Sequence, residues 1–258
     1  MKLVVNGALG RMGRMVVEAA AARPGATVVA LLERPGHPHA GRPVPTPWGD
    51  LPLLADPATA AASGADVGID FSAPEASVAF ARALAARGVG VVCGTTGMTG
   101  PHLDALRESA ARVPVVWSPN TSLGVWCLHE LAAVALNTLG PGYDVEIVEA
   151  HHRHKRDAPS GTALSLARRI ADESAIVSGR QGEVGPRPAG EVGVHAVRGG
   201  EVAGDHTVMF LGDHERIEIT HRASSRMLFA EGAVALAERL AARPAGWWTV
   251  TELLRGQA

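Results

Sequence analysis

The sequence predicts an α/β protein in which a domain built on a parallel sheet is followed by a smaller α+β domain. Short β-branched apolar runs alternate with Ala-rich segments through the first half of the 258 residues. A glycine-rich turn follows the first of these runs and opens a helical segment. After Leu123 the strands become separated by Gly-rich turns such as Gly199-Gly200. These three observations indicate two domains of different architecture.

The first domain is predicted from five short apolar runs that are rich in β-branched residues, mainly Val. Continuous apolar strands alternating with helices are typical of a parallel sheet that is covered on both faces. Two of the helical segments have Pro near their start, where the missing N–H costs nothing. The predicted strands are 3–5, 27–32, 67–71, 89–93 and 115–117, the helices end near 22, 87 and 112, and the Pro-rich stretch 35–52 is predicted to be a long loop.

The second domain is predicted to combine two helices with an antiparallel sheet, because Gly-rich turns separate its last strands. A final Ala-rich helix is expected to pack back on the first helix of the chain. The first domain is placed at 1–122, completed by 231–258, and the second at 123–230. The predicted helices are 123–139, 161–172 and 227–243, and the predicted strands are 143–150, 192–197, 207–211 and 216–220.

The composition excludes several classes of protein. Lys and Arg total 24 against 26 Asp and Glu, which argues against a general binder of nucleic acid or membrane surfaces. Two cysteines, Cys93 and Cys127, do not make a disulfide framework. The first residues contain no signal-peptide core, and no apolar stretch free of Gly, Pro and charge approaches a membrane span. We therefore expect a cytoplasmic enzyme or binding protein. Of the 24 basic residues, only Lys2 and Lys155 are lysines.

The glycine-rich turn has the spacing G-x-x-G-x-x-G, with Gly7, Gly10 and Gly13 as its glycines. Such a turn between strand and helix lets backbone N–H groups approach a pyrophosphate. Glu33 ends the second predicted strand, where an acid accepts hydrogen bonds from ribose hydroxyls, and Arg34 follows it as a partner for a 2′-phosphate. The pattern favours a dinucleotide site that tolerates both NADH and NADPH. The alternative is a turn whose glycines serve only strand–helix packing.

Two further turns follow predicted strands, at 94–97 and 118–121. The carboxyl ends of parallel strands are where ligands bind in an open α/β sheet. Thr and Asn side chains in these turns are suited to holding a nicotinamide amide. Taken in isolation, ordinary turn chemistry accounts for each of them almost as well.

The densest basic run, His151–Arg156, precedes the helix predicted from Gly161. Ser160 is a plausible N-cap for that helix, whose first N–H groups would then face a docked anion. Lys155 can release a proton at working pH, whereas Arg cannot. The run therefore suits a small dianionic substrate undergoing reduction. Two alternatives are a His-rich metal site, which the adjacent cations disfavour, and a solvated basic loop with no chemistry.

These motifs together resemble the 4-hydroxy-tetrahydrodipicolinate reductase family along essentially the whole chain. The last of them is highly specific to that family. The resemblance is carried by GALGRMG at 7–13, DFSAPE at 70–75, GTTG at 94–97, SPNTSLG at 118–124 and EAHHRHKRDAPSGTAL at 149–164.

The resemblance implies a Rossmann-type N-terminal domain, completed by the C-terminal helix, and an inserted α+β domain whose sheet commonly builds a homotetramer. It implies that NADH or NADPH reduces 4-hydroxy-tetrahydrodipicolinate to tetrahydrodipicolinate with loss of water. That reaction belongs to diaminopimelate and lysine biosynthesis. The partner is then a small dicarboxylate, with no nucleic acid, membrane or metal involved.

The resemblance also assigns roles to residues. His151 is implied to be the acid/base histidine, Lys155 the proton donor and His152 a substrate contact, with Gly161 and Thr162 cradling a substrate carboxylate. The implied cofactor contacts are Gly7, Ala8, Leu9, Gly10, Arg11, Met12, Glu33, Arg34, Gly94, Thr95, Thr96, Ser118, Pro119, Asn120 and Thr121.

Three questions stay open at the level of sequence. Ala73 stands where some members of the family carry a basic residue, which leaves the preference between NADH and NADPH undecided. A reductase of the same fold acting on another cyclic imine would carry similar motifs. A protein that senses NAD(H) without catalysis would use the basic loop to bind an acidic partner.

Overall fold

The computed structural model describes residues 1–256, which separate into two compact units. The first unit contains Met1–Ser122 together with the chain from Met227 onward, and the second contains Leu123–Arg226. The sequence places the return to the first domain at residue 231. In the structure the return occurs at Met227, because Met227 and Ala230 already pack in the core of the first unit.

The first unit is built on an eight-stranded sheet in the order β13-β7-β6-β5-β1-β2-β4-β3. Every neighbouring pair is parallel except β3 and β4, so the predicted parallel-sheet fold class is confirmed. Its strands are β1 (Lys2–Asn6), β2 (Thr27–Leu32), β3 (Pro43–Thr46), β4 (Gly49–Leu54), β5 (Val67–Asp70), β6 (Gly90–Cys93), β7 (Pro114–Trp117) and β13 (Gly246–Trp248). Its helices are α1 (Arg11–Ala21), α2 (Pro57–Ala61), α3 (Pro74–Ala85), α4 (Gly100–Ala110), α7 (Met227–Leu240) and α8 (Val250–Arg255).

Helices cover both faces of this sheet. Leu3 and Val5 on β1 pack in one core cluster with residues of α1 and α7. Val4, which points to the opposite face, packs in a second cluster with residues of α3 and α4. The final long helix therefore packs on the first helix as expected, and an ion pair between Arg23 and Glu238 joins their ends.

The Pro-rich stretch 35–52 is not the long loop that the sequence predicts. Its second half forms the hairpin of β3 and β4, closed by a turn in which Thr46 Oγ1 donates to the Gly49 carbonyl. β3 pairs on one side only, and an edge strand tolerates Pro because half of its backbone groups need no partner. β4 joins the sheet where Leu31 and Leu32 pair with Leu53 and Leu54.

The second unit contains a five-stranded sheet in the order β12-β11-β8-β10-β9. The prediction that β10 is antiparallel is wrong, because β10 runs parallel to both β8 and β9. The chain passes from β8 through helix α6 before it reaches β10, and a crossover of this kind returns a strand in the same direction. The elements are α5 (Leu123–Leu139), β8 (Asp144–His151), α6 (Gly161–Ile170), β9 (Ile176–Ser178), β10 (Val192–Arg198), β11 (Asp205–Leu211) and β12 (Arg216–Arg222).

One helical segment, Leu123–Gly142, is long and apolar enough by length and composition to cross a membrane. The segment contains Gly124, Glu130 and Pro141, so it does not contradict the expectation that no stretch free of Gly, Pro and charge approaches a span. Core helices of soluble proteins pass the same test, so one such helix is weak evidence. In the second unit, Leu128 and Ala132 of α5 pack in the hydrophobic core, and Glu130 lies 3.5 Å from Arg169 of α6.

Candidate active site

The glycine-rich turn adopts a backbone that side chains would prevent. Gly7 has φ +72°, and a Cβ at this position would lie 2.5 Å from the Phe71 carbonyl oxygen. A Cβ at Gly13 would lie 2.1 Å from the Gly7 carbonyl oxygen, so α1 can approach the turn closely only with glycine there. Gly10 is the N-cap of α1 and has no side chain to bond to the first-turn N–H groups. The turn therefore offers the close backbone approach and helix N-terminus that a pyrophosphate requires.

Glu33 lies directly beside this turn. Its Oε1 accepts a hydrogen bond from the Leu9 N–H at 2.9 Å, and its Oε2 accepts one from the Arg34 N–H at 3.3 Å. The structure thus brings together the turn and the acid that the sequence proposes for a ribose. The glycine-rich turn fits the pyrophosphate of a nicotinamide dinucleotide, and Glu33 fits its ribose.

The other two predicted cofactor turns follow β6 and β7, at the carboxyl ends of these strands. Their hydroxyl groups donate hydrogen bonds to other groups of the protein. Thr95 donates to Asp70, and Ser118 donates to the Asn120 carbonyl at 2.5 Å. Thr121 donates to a backbone carbonyl of α7. Because these hydroxyl protons are already engaged, the side chains of Thr95, Ser118 and Thr121 could meet a cofactor only as hydrogen-bond acceptors.

Asp70, at the end of β5, is a residue to which the sequence assigns no role. It is completely buried, and its carboxyl group accepts hydrogen bonds from side chains on several neighbouring segments. Through Asn6, whose Oδ1 accepts from the Gly7 N–H at 3.1 Å, this cluster holds the glycine-rich turn. The donors to Asp70 are Asn6 Nδ2, Ser72 Oγ, Ser77 Oγ, Cys93 Sγ and Thr95 Oγ1.

In the second unit, the basic run begins where β8 ends. His151 is the last residue of β8, and its Nδ1 donates to Glu149 at 2.6 Å. Ser160 is the N-cap of α6, as predicted, because its Oγ accepts from the Ala163 N–H at 3.1 Å. Gly161 and Thr162 are therefore the first two residues of the helix.

Lys155 lies in the loop between β8 and α6. Its Nζ is 2.9 Å from Asp157 Oδ2, and its side chain is 20 % exposed. A hydrogen bond from Lys155 holds the pKa of Asp157 below its usual range. His152 has a buried Nδ1 with no hydrogen-bond partner in the described protein. A buried polar atom left unpaired needs a physical explanation, and an absent ligand or water is one such explanation.

Glu149, the first residue of the family motif, lies at the centre of this cluster, and the sequence motifs alone give it no role. It is completely buried, and Arg198 on β10 donates to both of its carboxylate oxygens, at 2.8 and 2.7 Å. Burial alone would raise the pKa of Glu149, but hydrogen bonds from Arg198, His151 and Ser160 outweigh burial and hold it below its ordinary value. The available signal was spacing, because residues 149 and 151 of one strand share a face.

Two histidines of this cluster have a lowered pKa. Burial is the main cause for His151, opposed by Glu149. Burial also lowers the pKa of His206, on β11, to about 4. His206 lies edge-on to His151, with 5.2 Å between ring centroids, and a hydrogen bond of 3.2 Å joins it to Ser160. Both rings are therefore neutral near pH 7.

The metal alternative gains no support from the geometry. Within residues 1–256, no group of three or more His, Cys, Asp or Glu side chains is arranged to hold a metal ion. Two of the three histidines in the basic run instead face carboxylates, with His151 on Glu149 and His154 at 3.5 Å from Glu201.

Comparison with known proteins places the chain in a family. Residues 1–121 match the N-terminal domain of dihydrodipicolinate reductase, and residues 124–254 match its C-terminal domain. The chain belongs to the dihydrodipicolinate reductase family. It is 47 % identical over 262 aligned positions to a 4-hydroxy-tetrahydrodipicolinate reductase of Anaeromyxobacter dehalogenans, covering 98 % of this chain and 97 % of that one. The corresponding enzyme of Thiobacillus denitrificans is 44 % identical, with 98 % of both chains covered.

Solved structures support the same fold. A dipicolinate-bound dihydrodipicolinate reductase from Paenisporosarcina sp. TG-14 superposes with a TM-score of 0.81 at 22 % identity, covering 98 % of each chain. A diaminopimelate dehydrogenase of C. glutamicum superposes with a TM-score of 0.59 at 16 % identity, covering 100 % of this chain and 96 % of that one. The family model that matches the first unit makes it the dinucleotide-binding domain of an oxidoreductase.

Proposed function

We propose that this chain is an NAD(P)H-dependent oxidoreductase that reduces 4-hydroxy-tetrahydrodipicolinate to tetrahydrodipicolinate with loss of water, in diaminopimelate and lysine biosynthesis. The observation that carries the proposal is the arrangement of 149–164, in which a carboxylate-bound histidine, a lysine and a capped helix start lie on one continuous segment. Membership of the reductase family supports the same reaction.

On the substrate side, we propose that Lys155 donates the proton and that His151 acts as the acid/base group. A neutral imidazole is able to accept a proton, and the lowered pKa of His151 keeps it in that form at neutral pH. His152 would contact the substrate through its imidazole ring. Gly161 and Thr162 at the start of α6 would bind a substrate carboxylate, since a helix N-terminus favours an anion.

On the cofactor side, the bound dinucleotide supplies the hydride, and the first unit supplies the binding groups. We propose that the turn 7–12 binds the pyrophosphate, that Glu33 accepts from the ribose and that Arg34 pairs with a 2′-phosphate when NADPH is used. The turns 94–96 and 118–121 would contact the nicotinamide half. Both NADH and NADPH are expected to serve.

A homotetramer built on the sheet of the second unit and a cytoplasmic location are part of the same proposal. Neither nucleic acid nor membrane is expected as a partner, since the net charge is −2 and no basic excess is available for phosphate surfaces.

The direct test couples the chain to a dihydrodipicolinate synthase and follows the oxidation of NADPH or NADH. Oxidation that depends on the synthase product supports the proposal. Turnover on another cyclic imine but not on this product would indicate the alternative reductase. Binding of NADH without turnover on either substrate would indicate a sensor of NAD(H).

A further inference from the structure

Glu149 is unusual because it is fully buried and yet bonds to four donor groups from three parts of the second unit. Arg198 contributes two N–H donors from β10, and His151 contributes Nδ1 from the end of β8. The fourth donor is the Ser160 N–H, at 2.9 Å. A carboxylate with this many fixed donors has one orientation available to it, so the groups bonded to it are held in fixed relative positions.

Two of these groups belong to the site described above. His151 is the proposed acid/base residue, and Ser160 is the N-cap of the helix whose first turn is proposed to bind a substrate carboxylate. We propose that Glu149 is a positioning residue that fixes the His151 ring and the start of α6 relative to one another for the reduction step. This inference rests on the proposed function and adds a residue to it.

The bond to Glu149 also determines the tautomer of His151. An ionised carboxylate only accepts hydrogen bonds, so Nδ1 of His151 carries the proton. Nε2 is then the atom that exchanges protons with a substrate or water. A Cβ at residue 204 would lie 3.0 Å from this atom, and Gly204 therefore leaves Nε2 uncovered on that side.

Arg198 extends the positioning to the loop that carries Lys155. It pairs with His151 in the strand register and donates to the Asp157 carbonyl at 2.6 Å as well as to Glu149. The bond from Arg198 fixes the position of Asp157. Asp157 is in turn the partner of Lys155, whose Nζ lies 2.9 Å from its carboxylate. Arg198 therefore offsets the charge of Glu149 and links it to the basic loop.

The electrostatic surroundings of His151 make the role of Glu149 measurable. The titratable and charged groups that face the ring are Glu149 on β8, Lys155 in the loop, Arg198 on β10 and His206 on β11. Glu149 is the anion among them and favours the protonated ring, whereas Lys155 and Arg198 oppose protonation. Removal of the Glu149 charge must therefore lower the pKa of His151.

The same strand provides a matched control. Glu146 is also buried, and it accepts from Arg180 at 3.0 Å, Arg187 at 3.1 Å and His195 at 2.7 Å. It occupies the opposite face of β8 from Glu149, because the two residues are three positions apart on one strand. The partners of Glu146 lie outside the 149–164 segment. Glu146 is therefore a buried carboxylate with Arg and His donors, like Glu149, but it does not contact the proposed site.

The experiment compares Glu149→Gln with Glu146→Gln in the synthase-coupled assay, at a temperature where circular dichroism shows both variants folded. We expect Glu149→Gln to lower kcat by about 10- to 100-fold and to raise KM for the substrate, because an outer positioning partner is lost. The limb of the kcat–pH profile that reports His151 should move to lower pH. The dissociation constant for NADH, measured by fluorescence titration, should stay unchanged, and Glu146→Gln should alter none of these quantities.

An unshifted pH limb, or an equal effect from Glu146→Gln, would overturn the positioning role. A second measurement needs no variant: ¹⁵N shifts of the His151 ring in the intact protein should show the proton on Nδ1. A ring protonated on Nε2 alone overturns the inference. If the wild-type protein does not turn over the synthase product, the proposed function fails, and the tautomer measurement still reports on Glu149 separately.

Discussion

Two fully buried carboxyl groups, Asp70 at the end of β5 and Glu149 two residues before the end of β8, bond to the turns around them. Asp70 accepts from an amide, three hydroxyls and a thiol, all uncharged. Glu149 accepts from a guanidinium, an imidazole and a backbone N–H. The first set holds the glycine-rich turn in shape, whereas the second couples the carboxylate to His151, the group proposed for acid/base chemistry. The type of donor therefore separates the scaffold role inferred for Asp70 from the role in the chemistry proposed for Glu149.

The largest expected effect distinguishes the chemistry of the second unit from binding in the first. Lys155→Ala should lower kcat by about 10²- to 10⁴-fold, because proton transfer by a positioned group contributes about that much. The dissociation constant for NADH should hardly change, since the proposed cofactor contacts lie in the first unit. Lys2→Ala, at the other lysine of the chain and on an exposed strand end, is the control. Nearly full activity in Lys155→Ala would show that the proton donor is another group.

The next prediction compares how much free energy of unfolding is lost when each of the two carboxyl groups is replaced by an amide. Hydroxyl donors can rotate to become acceptors, so Asp70→Asn should lower the free energy of unfolding by only about 1 kcal/mol. Arg198 and the Ser160 N–H cannot accept, so Glu149→Gln leaves buried donors and a charge unpaired and should cost about 3 kcal/mol. Urea denaturation midpoints at pH 7 measure both. Equal losses would mean that donor type does not govern the cost.

Acid sensitivity should be concentrated in the second unit. The pKa of His206 is lowered to about 4 in the native protein, and a histidine in the unfolded chain has a pKa of about 6.5. Between these values the unfolded chain binds more protons, so the native state loses stability as the pH falls. The loss from this group should reach about 2 kcal/mol at pH 5.

His206→Gln, which cannot titrate, tests this directly. The difference in unfolding free energy between wild type and variant should change by that amount between pH 7 and pH 5, as measured by urea denaturation at each pH. A difference that does not vary with pH would show that His206 is not buried in the neutral form.

The smallest expected effect concerns the cofactor. Glu33→Ala should weaken NADH binding about tenfold, because hydrogen bonds from ribose hydroxyls to a charged acceptor are lost. NADPH should lose less, since removal of the carboxylate also removes repulsion of the 2′-phosphate. Arg34→Ala, tested in parallel, should weaken NADPH more than NADH. An equal loss of both cofactors in Glu33→Ala would rule out the ribose assignment.

Much of the fold followed from local patterns. The β-branched runs predict β1, β2, β5, β6 and β7 because a strand buried on both faces must be apolar throughout. Glycine spacing predicts the turn after β1, and Ser160 predicts the start of α6. The short strands β9 and β13 and the short helices α2 and α8 were not predicted. Their three to six residues are too few for a periodic signal.

The sequence by itself determined the parallel sheet, the dinucleotide turn and the family motif with its lysine at 155. Only the tertiary structure decided the direction of β10, the hairpin in the Pro-rich stretch and the surroundings of Glu149. Arg198 is 49 residues from Glu149 along the chain, and they meet because β10 pairs with β8 in one particular register. Local sequence specifies which backbone a segment adopts. Strand register then decides which distant side chains share a buried site, and no local pattern encodes that choice.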